Sequence, residues 1–254
     1  MGPIGPVGAG GPGLAEIARL YAYPGPAGRP GRPWVRANMV ASVDGAATAQ
    51  ERSGGLSGEA DRELFSVLRS LADVIVAGAG TARAEKYRPV TAKEAWAVLR
   101  EGRPPTPPIA VVTGSLDLDP DGPLLTEAPP HARTIVLTTD AAPADRRAAA
   151  ARHADVVVAG HGLLSPEAII GALAERGYQR ILIEGGPHLL GQIAAAGLLD
   201  ELCLSLSPLL AGGQAGRILA GGGDIAESQA GLSLAHVLED SGFLLCRYVR
   251  REAS

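Results

Sequence analysis

Residues 181–191, ILIEGGPHLLG, decide the fold. An unbroken apolar run ends at Glu184 and is followed by Gly185, Gly186 and Pro187, after which the spacing is helical. This order predicts a buried strand, a sharp turn and a helix that begins at the proline. Free backbone N–H groups and the positive end of the helix dipole point out of such a turn. The turn is therefore typical of a site for a phosphate or another anion.

A second turn of the same kind lies in residues 73–83, DVIVAGAGTAR. Similar turns also occur in α/β proteins that bind no nucleotide, so neither turn decides a function alone. Neither turn matches the Rossmann fingerprint G-x-G-x-x-G. After Gly78 and Gly80, Arg83 stands at the third glycine position, and no acidic residue follows at a spacing of about 20 residues. The P-loop pattern GxxxxGK[ST] is absent from the sequence as well. A bound dinucleotide would need another scaffold.

Strands alternate with helices outward from these two turns. Ser165 and Pro166 are typical of a helix start, Gly177 of a helix end, and Ser241-Gly242 of a hairpin between two apolar runs. The pattern predicts an α/β fold: a doubly wound, mostly parallel sheet with a C-terminal antiparallel hairpin. We expect strands at residues 34–42, 73–78, 109–113, 134–139, 155–160, 181–184, 202–210, 232–240 and 243–250, and helices after Ser57 and over residues 91–100, 144–153 and 165–177.

Two regions differ in composition. Residues 1–33 contain nine glycines and seven prolines and are predicted to be a flexible arm, in which residues 14–24 could form one or two helical turns. Residues 34–254 are predicted to form one domain.

Composition excludes several classes of function. A net charge of −4 without a basic stripe argues against nucleic-acid binding. No apolar run approaches the roughly 20 residues that cross a bilayer, and no secretory signal is recognisable, so we expect a cytoplasmic protein without membrane contact. Cys203 and Cys246 are far apart and lie in apolar runs, which predicts small buried side chains. The cysteines and histidines lack the spacing of metal ligands, and no metal is expected.

Four segments in order support a more specific interpretation: NMVASVDGAAT (38–48), GLSGEADRELFSVLRSLADVIVAGAGTARAE (55–85), IAVVTGS (109–115) and LIEGGPHLLGQIAAAGLLDELCLSLSPLLAGG (182–213). Together they resemble the reductase domain of the bifunctional riboflavin-biosynthesis deaminase/reductase, a dihydrofolate-reductase-like domain. The resemblance implies NADPH as hydride donor, a small-molecule substrate (a ribosylaminopyrimidine 5′-phosphate of the phosphoribosylaminouracil type, whose ribose becomes a ribityl chain) and a homodimer. The deaminase zinc signature has no match, so only the reductase activity is implied.

The resemblance also implies a cofactor site. Its positions fall on the first predicted strand and the segment after it, on both glycine turns, and at the end of the strand IAVVT, where the adenosine 2′-phosphate is expected. The cofactor residues so implied are Val40, Ala41, Gly55, Ser57, Gly78, Ala79, Gly80, Thr81, Glu85, Ser115, Gly185, Gly186, Pro187, His188, Leu189, Leu190 and Gly191.

Substrate positions follow from the same resemblance: Asn38, Ser53, Arg69 and Glu184. The planar fork of an arginine suits a phosphate. A carboxylate that ends a buried strand, such as Glu184, is costly unless it has polar partners, and so indicates a polar pocket. Reduction also needs a proton. Asp44 and Glu184 are the candidate catalytic donors, and water is the alternative; Asp44 in its D-G turn could equally be structural.

The sequence departs from the family pattern in two places. Gly55 stands where relatives often carry an aromatic residue, and EKYRPV (85–90) stands where they carry a D-x-P-x-L-T-x-R tract that touches substrate. Two other functions therefore stay open. One is a dihydrofolate or pterin reductase, and the other is a nucleotide-binding domain without turnover.

Overall fold

The computed structural model describes residues 13–25, 31–49, 53–92, 97–100, 102–223, 225 and 231–251. The chain divides into two compact units. Unit 1 comprises Met1–Tyr23, Val35–Leu68 and Ile183–Ser254. Unit 2 comprises Pro24–Trp34 and Arg69–Leu182.

The described residues form a mixed α/β sheet of nine strands, as the sequence predicts. The strands are β1 (Trp34–Ser42), β2 (Val74–Gly78), β3 (Ile109–Val112), β4 (Ile135–Thr139), β5 (Asp155–Gly160), β6 (Arg180–Ile183), β7 (Glu201–Ser207), β8 (Leu232–Asp240) and β9 (Phe243–Arg250). The α-helices are α1 (Leu14–Leu20), α2 (Glu59–Leu71), α3 (Ala79–Ala84), α4 (Pro123–Thr126), α5 (Ala144–Ala151), α6 (Pro166–Glu175) and α7 (Pro187–Ala195). The predicted helix over residues 91–100 lies partly outside the described residues, and its described end, Ala97–Arg100, is a 3-10 helix.

The sheet in unit 2 has the order β5-β4-β3-β2-β6. The β2–β3, β3–β4 and β4–β5 pairs are all parallel. Ile75, Val111 and Val136 are fully buried at its centre. Continuous apolar strands are expected where helices cover both faces of a parallel sheet, and this explains the unbroken apolar runs in the sequence.

The sheet in unit 1 has the order β1-β7-β9-β8. Strands β1 and β7 pair in parallel, with Asn38 beside Cys203 and Val40 beside Ser205. Strand β9 is antiparallel to both of its neighbours, which confirms the predicted hairpin. Its turn has positive φ at Ser241 (53°) and Gly242 (82°). Positive φ at both central residues gives a turn whose twist matches that of the flanking strands.

The side-chain hydrogen bonds at the starts of α6 and α2 differ. At α6, Ser165 accepts a hydrogen bond from the amide of Ala168 at 3.1 Å, and Pro166 begins the helix, both as predicted. The helix α2 begins at Glu59, two residues after Ser57, and the Ser57 hydroxyl donates to the Asp61 carboxylate in its first turn at 2.6 Å.

Part of the predicted arm packs into unit 1. Tyr21, directly after α1, is fully buried. Arg36 donates to the Tyr21 carbonyl at 2.7 Å, and Arg247 donates to the Leu20 carbonyl at 2.5 Å. Both guanidinium groups therefore satisfy carbonyls that a helix C-terminus leaves unpaired. Residues 14–23 are an integral part of unit 1, while residues 1–12 and 26–30 of the predicted arm lie outside the described residues.

The two arginines share one buried carboxylate. Glu201 lies 2.7 Å from Nε of Arg36 and 2.8 Å from Nε of Arg247, and its own side chain is fully buried. Burial raises the pKa of Glu201, but the two guanidinium groups outweigh burial and hold that pKa below its ordinary value. Cys203 and Cys246 are buried free thiols, as predicted.

Candidate functional site

The glycine turn at residues 184–187 belongs to unit 1. Glu184 follows β6 and is 8% exposed. Gly185 has a φ of 103° and is joined to Gly186 by a cis peptide bond. Gly186 precedes α7, Pro187 is its first residue, and no side chain caps the helix. The first-turn amides of α7 can therefore face an anion, as the sequence predicts.

This turn lies against the middle of β1. A Cβ added at Gly185 would be 3.8 Å from Sδ of Met39. Glycine is needed at this position for its positive φ, which side chains with a Cβ rarely adopt. The turn thus lies beside Met39 of β1, the strand that carries the predicted positions Asn38, Val40 and Ala41, although the two segments are more than 140 residues apart in sequence.

Strand β1 also contributes a buried amide. Asn38 is 7% exposed, and its Oδ1 has no hydrogen-bond partner in the part of the chain that the structure describes. The hydroxyl of Ser205, on the same face of the sheet, is likewise buried without a hydrogen-bond partner among the described residues. A buried polar atom without a partner is unusual in a native protein and calls for an explanation such as a bound polar ligand or water.

The segment that follows β7, residues 208–223, is called the 208–223 loop below, and its end at residues 220–222 contacts the first turns of α7. The Ala220 amide donates to the Pro187 carbonyl at 3.0 Å. A Cβ added at Gly191 would lie 2.5 Å from the Ala220 oxygen, so no larger residue fits without movement. Gly191, predicted from the resemblance as a cofactor residue, therefore has a packing role as well.

Asp44 lies at the turn after β1 and binds the first part of this loop, at Ala211 and Gly212. Its exposed carboxylate accepts hydrogen bonds from the Ser42 hydroxyl, from the Ala211 amide at 3.1 Å and from the Gly212 amide at 2.8 Å. The Ser42 hydrogen bond and then the two amides lower the pKa of Asp44 to about 2. The carboxylate is therefore ionised at neutral pH and has no proton to donate.

A cavity of about 500 Å³ opens between the 208–223 loop and the sheet of unit 1. Ala41, Leu204 and Leu206 form its apolar wall, and Asp44 and Arg217 are its charged lining residues. Two of the predicted site residues, Ala41 and Asp44, thus face one cavity.

The remaining predicted positions of unit 1 lie between β1 and α2. Ser53 and Gly55 form a 3-10 helix with Gly54. A Cβ added at Gly55 would lie 3.1 Å from both Cβ and the carbonyl oxygen of Ala49. The glycine at position 55, where relatives often carry an aromatic residue, therefore belongs to a tight local packing arrangement.

Unit 2 carries a second group of predicted positions. Gly78 precedes α3, and the Thr81 carbonyl accepts the Glu85 amide at 2.9 Å. Arg69 is 7% exposed, and its guanidinium carbon lies 5.7 Å from the centre of the Tyr87 ring. That distance is within the range of a cation–π interaction. Sequence reasoning missed Tyr87, which lies in the tract that departs from the family pattern.

Ser115 is exposed and has a cation beside it. The guanidinium of Arg146, in the first turn of α5, donates to the Ser115 carbonyl at 3.1 Å. The turn before it is fixed by the Thr113 hydroxyl, which accepts the Leu116 amide at 3.0 Å. No local signal in the sequence identifies Arg146, because the two residues are 31 positions apart.

Together these features define an α/β fold with a glycine turn, before α7, that is suited to an anionic ligand. Residues 33–244 match the RibD C-terminal domain family. The chain belongs to this family.

Its relatives are reductases of riboflavin biosynthesis, which are oxidoreductases. The 2,5-diamino-6-ribosylamino-4(3H)-pyrimidinone 5′-phosphate reductase of Archaeoglobus fulgidus is 30% identical over 189 residues, which are 72% of this chain and 84% of the relative. The riboflavin biosynthesis protein RibD of Mycobacterium tuberculosis is 30% identical over 186 residues, which are 73% of this chain and 45% of that protein. The predicted family, fold class and enzyme class are thereby confirmed.

A solved structure agrees with the fold. A pyrimidine reductase-like protein of Corynebacterium diphtheriae has a TM-score of 0.79 and is 26% identical, with 93% of this chain and 99% of that chain covered. Among the described residues, no helix is both long and apolar enough to span a bilayer.

Proposed function

We propose that this chain catalyses the NADPH-dependent reduction of a ribosylaminopyrimidine 5′-phosphate, in which the ribose becomes a ribityl chain. One observation carries the proposal: the uncapped glycine turn before α7 lies against β1, with Gly185 close to Met39, in a member of the RibD C-terminal domain family. The turn offers amides for a pyrophosphate, and Ala41 of the adjacent strand lines a cavity that a flat ring would enter.

The residues present suit a nicotinamide dinucleotide. When bound, this group supplies the hydride, and the protein supplies orientation and electrostatics. Residues 185–191 would hold the pyrophosphate, and the backbone of Val40 and Ala41 would orient the ring. Gly55 and Ser57 would lie near it. In unit 2, residues 78–81 and Glu85 would contribute further contacts; α3 has only six residues, so their assignment rests on the family rather than on the helix.

The preference for NADPH over NADH would come from Arg146. Its guanidinium is held beside Ser115, the position where the family resemblance expects the adenosine 2′-phosphate. An arginine in such a place accommodates a 2′-phosphate, which NADH lacks.

Four residues would bind substrate. Arg69 presents a guanidinium that suits the 5′-phosphate, and Ser53 lies in the 3-10 helix that leads to α2. Asn38 has a buried carbonyl oxygen that a polar ligand could satisfy. Glu184 is a buried carboxylate next to the glycine turn.

Hydride addition at the ribose C1′ breaks the bond between C1′ and the ring oxygen O4′, and that oxygen must take up a proton. Glu184, which is buried and adjacent to the turn, would deliver this proton, and water is the alternative. Asp44 was the other candidate. Its hydrogen bonds and its pKa of about 2 argue for an ionised, structural group instead.

The test is a titration of the protein with NADPH and with NADH, followed by a substrate screen read at the absorbance of the reduced nicotinamide. The screen includes the diaminopyrimidinone and the corresponding uracil, both as 5′-phosphates, and dihydrofolate. We expect NADPH oxidation with a ribosylaminopyrimidine phosphate only. Oxidation with dihydrofolate would establish a pterin reductase, and NADPH binding without any turnover would establish a nucleotide-binding domain.

We also propose that the chain is a homodimer. Two large apolar side chains on the C-terminal hairpin are exposed, Leu234 at 53% and Leu244 at 39%. An exposed apolar sheet face is a common site of self-association. Sedimentation at micromolar concentration should give a dimer, and a monomer would refute the proposal. The cytoplasmic location also stays a proposal, which fractionation of cells expressing the tagged chain would test.

A further inference from the structure

The 208–223 loop is fastened at two places within unit 1. At the turn after β1, the Val43 amide donates to the Leu209 carbonyl at 3.0 Å, and the Ala47 amide donates to the Gly216 carbonyl at 2.8 Å. At the start of α7, the loop is joined through Ala220 and Pro187. One segment of chain therefore connects the end of β1 with the first turn of the helix that follows the glycine turn.

Asp44 contributes to the first attachment through its side chain. Its two carboxylate oxygens each accept one loop amide, from Ala211 and from Gly212. The other bonds at this attachment run between backbone atoms and would survive a change of side chain. Hydrogen bonds to a charged acceptor are stronger than those to a neutral one, so the carboxylate is the component of this attachment that a mutation can remove.

The second attachment leaves the loop little freedom to shift. Ala220 is in close contact with Gly191, and a Cβ added at Gly222 would lie 2.5 Å from the Gly191 carbonyl oxygen. The loop and the first turns of α7 are thus packed backbone to backbone. Ala211, Gly212 and Ala220 belong to one short segment, so a displacement at Ala211 and Gly212 would also shift Ala220, which is hydrogen-bonded to Pro187 at the start of α7.

We propose that Asp44 is a positioning residue for cofactor binding: it holds the 208–223 loop so that the loop supports the first turn of α7 and shapes the cavity beside Ala41. In this role Asp44 acts through the loop amides of Ala211 and Gly212. The inference rests on the proposed function, since it assigns the dinucleotide to residues 185–191.

The expected effect is on binding more than on chemistry. Removal of the carboxylate in Asp44→Ala should raise the NADPH dissociation constant about 10-fold. The turnover number at saturating NADPH should fall by less than about 3-fold, because the residues that face the substrate are unchanged. Asp44→Asn keeps one acceptor oxygen and should lie between wild type and Asp44→Ala.

Hydrogen–deuterium exchange tests the attachment itself without any ligand. Peptides that cover residues 208–216 should exchange faster in Asp44→Ala than in wild type. Asp140→Ala is the matched control, because Asp140 is likewise an exposed carboxylate that accepts a backbone amide, from Gly162 at 2.9 Å, but it belongs to unit 2. The control should leave both loop exchange and the NADPH dissociation constant unchanged.

The outcomes separate the two proposals. If wild type binds no nicotinamide nucleotide, the proposed function fails, and exchange still reports whether Asp44 holds the loop. If wild type binds NADPH but Asp44→Ala binds it equally well, the positioning role is refuted. A loss of turnover of 1,000-fold or more with unchanged binding and exchange would instead make Asp44 a catalytic group (roughly the scale of losing an essential proton donor).

Discussion

Replacing Gly191 by alanine sets two effects of known size against each other. Alanine in place of glycine inside a helix is favoured by about 1 kcal/mol. At position 191, however, the new Cβ would lie 2.5 Å from the Ala220 oxygen and 2.9 Å from the Gly221 oxygen. The loop backbone must then move by roughly 1 Å to reach ordinary contact distance, and overpacking of this kind costs about 1–3 kcal/mol. The movement also strains the Ala220–Pro187 hydrogen bond, worth about 1 kcal/mol.

The clash therefore outweighs the helix propensity, and Gly191→Ala should lower the free energy of unfolding by about 1–3 kcal/mol. Gly171→Ala is the matched control, because Gly171 is also inside a helix, α6, and a Cβ there meets no atom within 4 Å. The control should raise the free energy of unfolding by about 0.5–1 kcal/mol. Urea denaturation with NADPH titration of both variants provides the measurement. Equal stabilisation of the two variants would refute the packing of the loop on α7.

Three further predictions concern charged and aromatic groups. Arg146→Ala should weaken NADPH binding about 10-fold and leave NADH binding unchanged, while Arg152→Ala, directly after the same helix, alters neither; an equal loss for both nucleotides would contradict the assignment. Glu201→Gln should lower the free energy of unfolding by about 3 kcal/mol. The pKa of Glu201 is depressed in the folded protein, so its contribution to the free energy of unfolding is full above the unfolded pKa of 4.5 and is lost as the pH falls further. The free energy of unfolding of the variant should therefore depend less on pH in acid than that of wild type. The same pH dependence in both proteins would refute this. Tyr87→Leu should raise the KM of the phosphorylated substrate about 5-fold, and Tyr87→Phe should not, as assayed by steady-state kinetics; equal effects would exclude a cation–π contact with Arg69.

The sequence predicts features whose signals are local. The Ser165-Pro166 start of α6 and the Ser241-Gly242 turn are specified by neighbouring residues, and both form as expected. The glycine turn at residues 185–187 follows from the strand before it and the helix after it. These elements can be read directly because backbone conformation and capping depend on a few adjacent residues.

Features that depend on contacts between residues far apart in the sequence cannot be predicted in this way. Asp44 meets Ala211 across 167 positions, and Arg247 meets Leu20 across 227. Nothing near Asp44 distinguishes a proton donor from a residue that holds a loop, since the difference lies in amides supplied by the distant segment. The same holds for Arg146, which only the fold brings to Ser115. Such roles become visible once the packing is known.

A crystal structure of the protein with NADPH is the most direct measurement of the proposed site. We expect the pyrophosphate within hydrogen-bond distance of amides in residues 186–191 and the nicotinamide beside Val40 and Ala41. A complex in which the glycine turn before α7 makes no contact with the dinucleotide would contradict the assignment of this chain as an NADPH-dependent reductase.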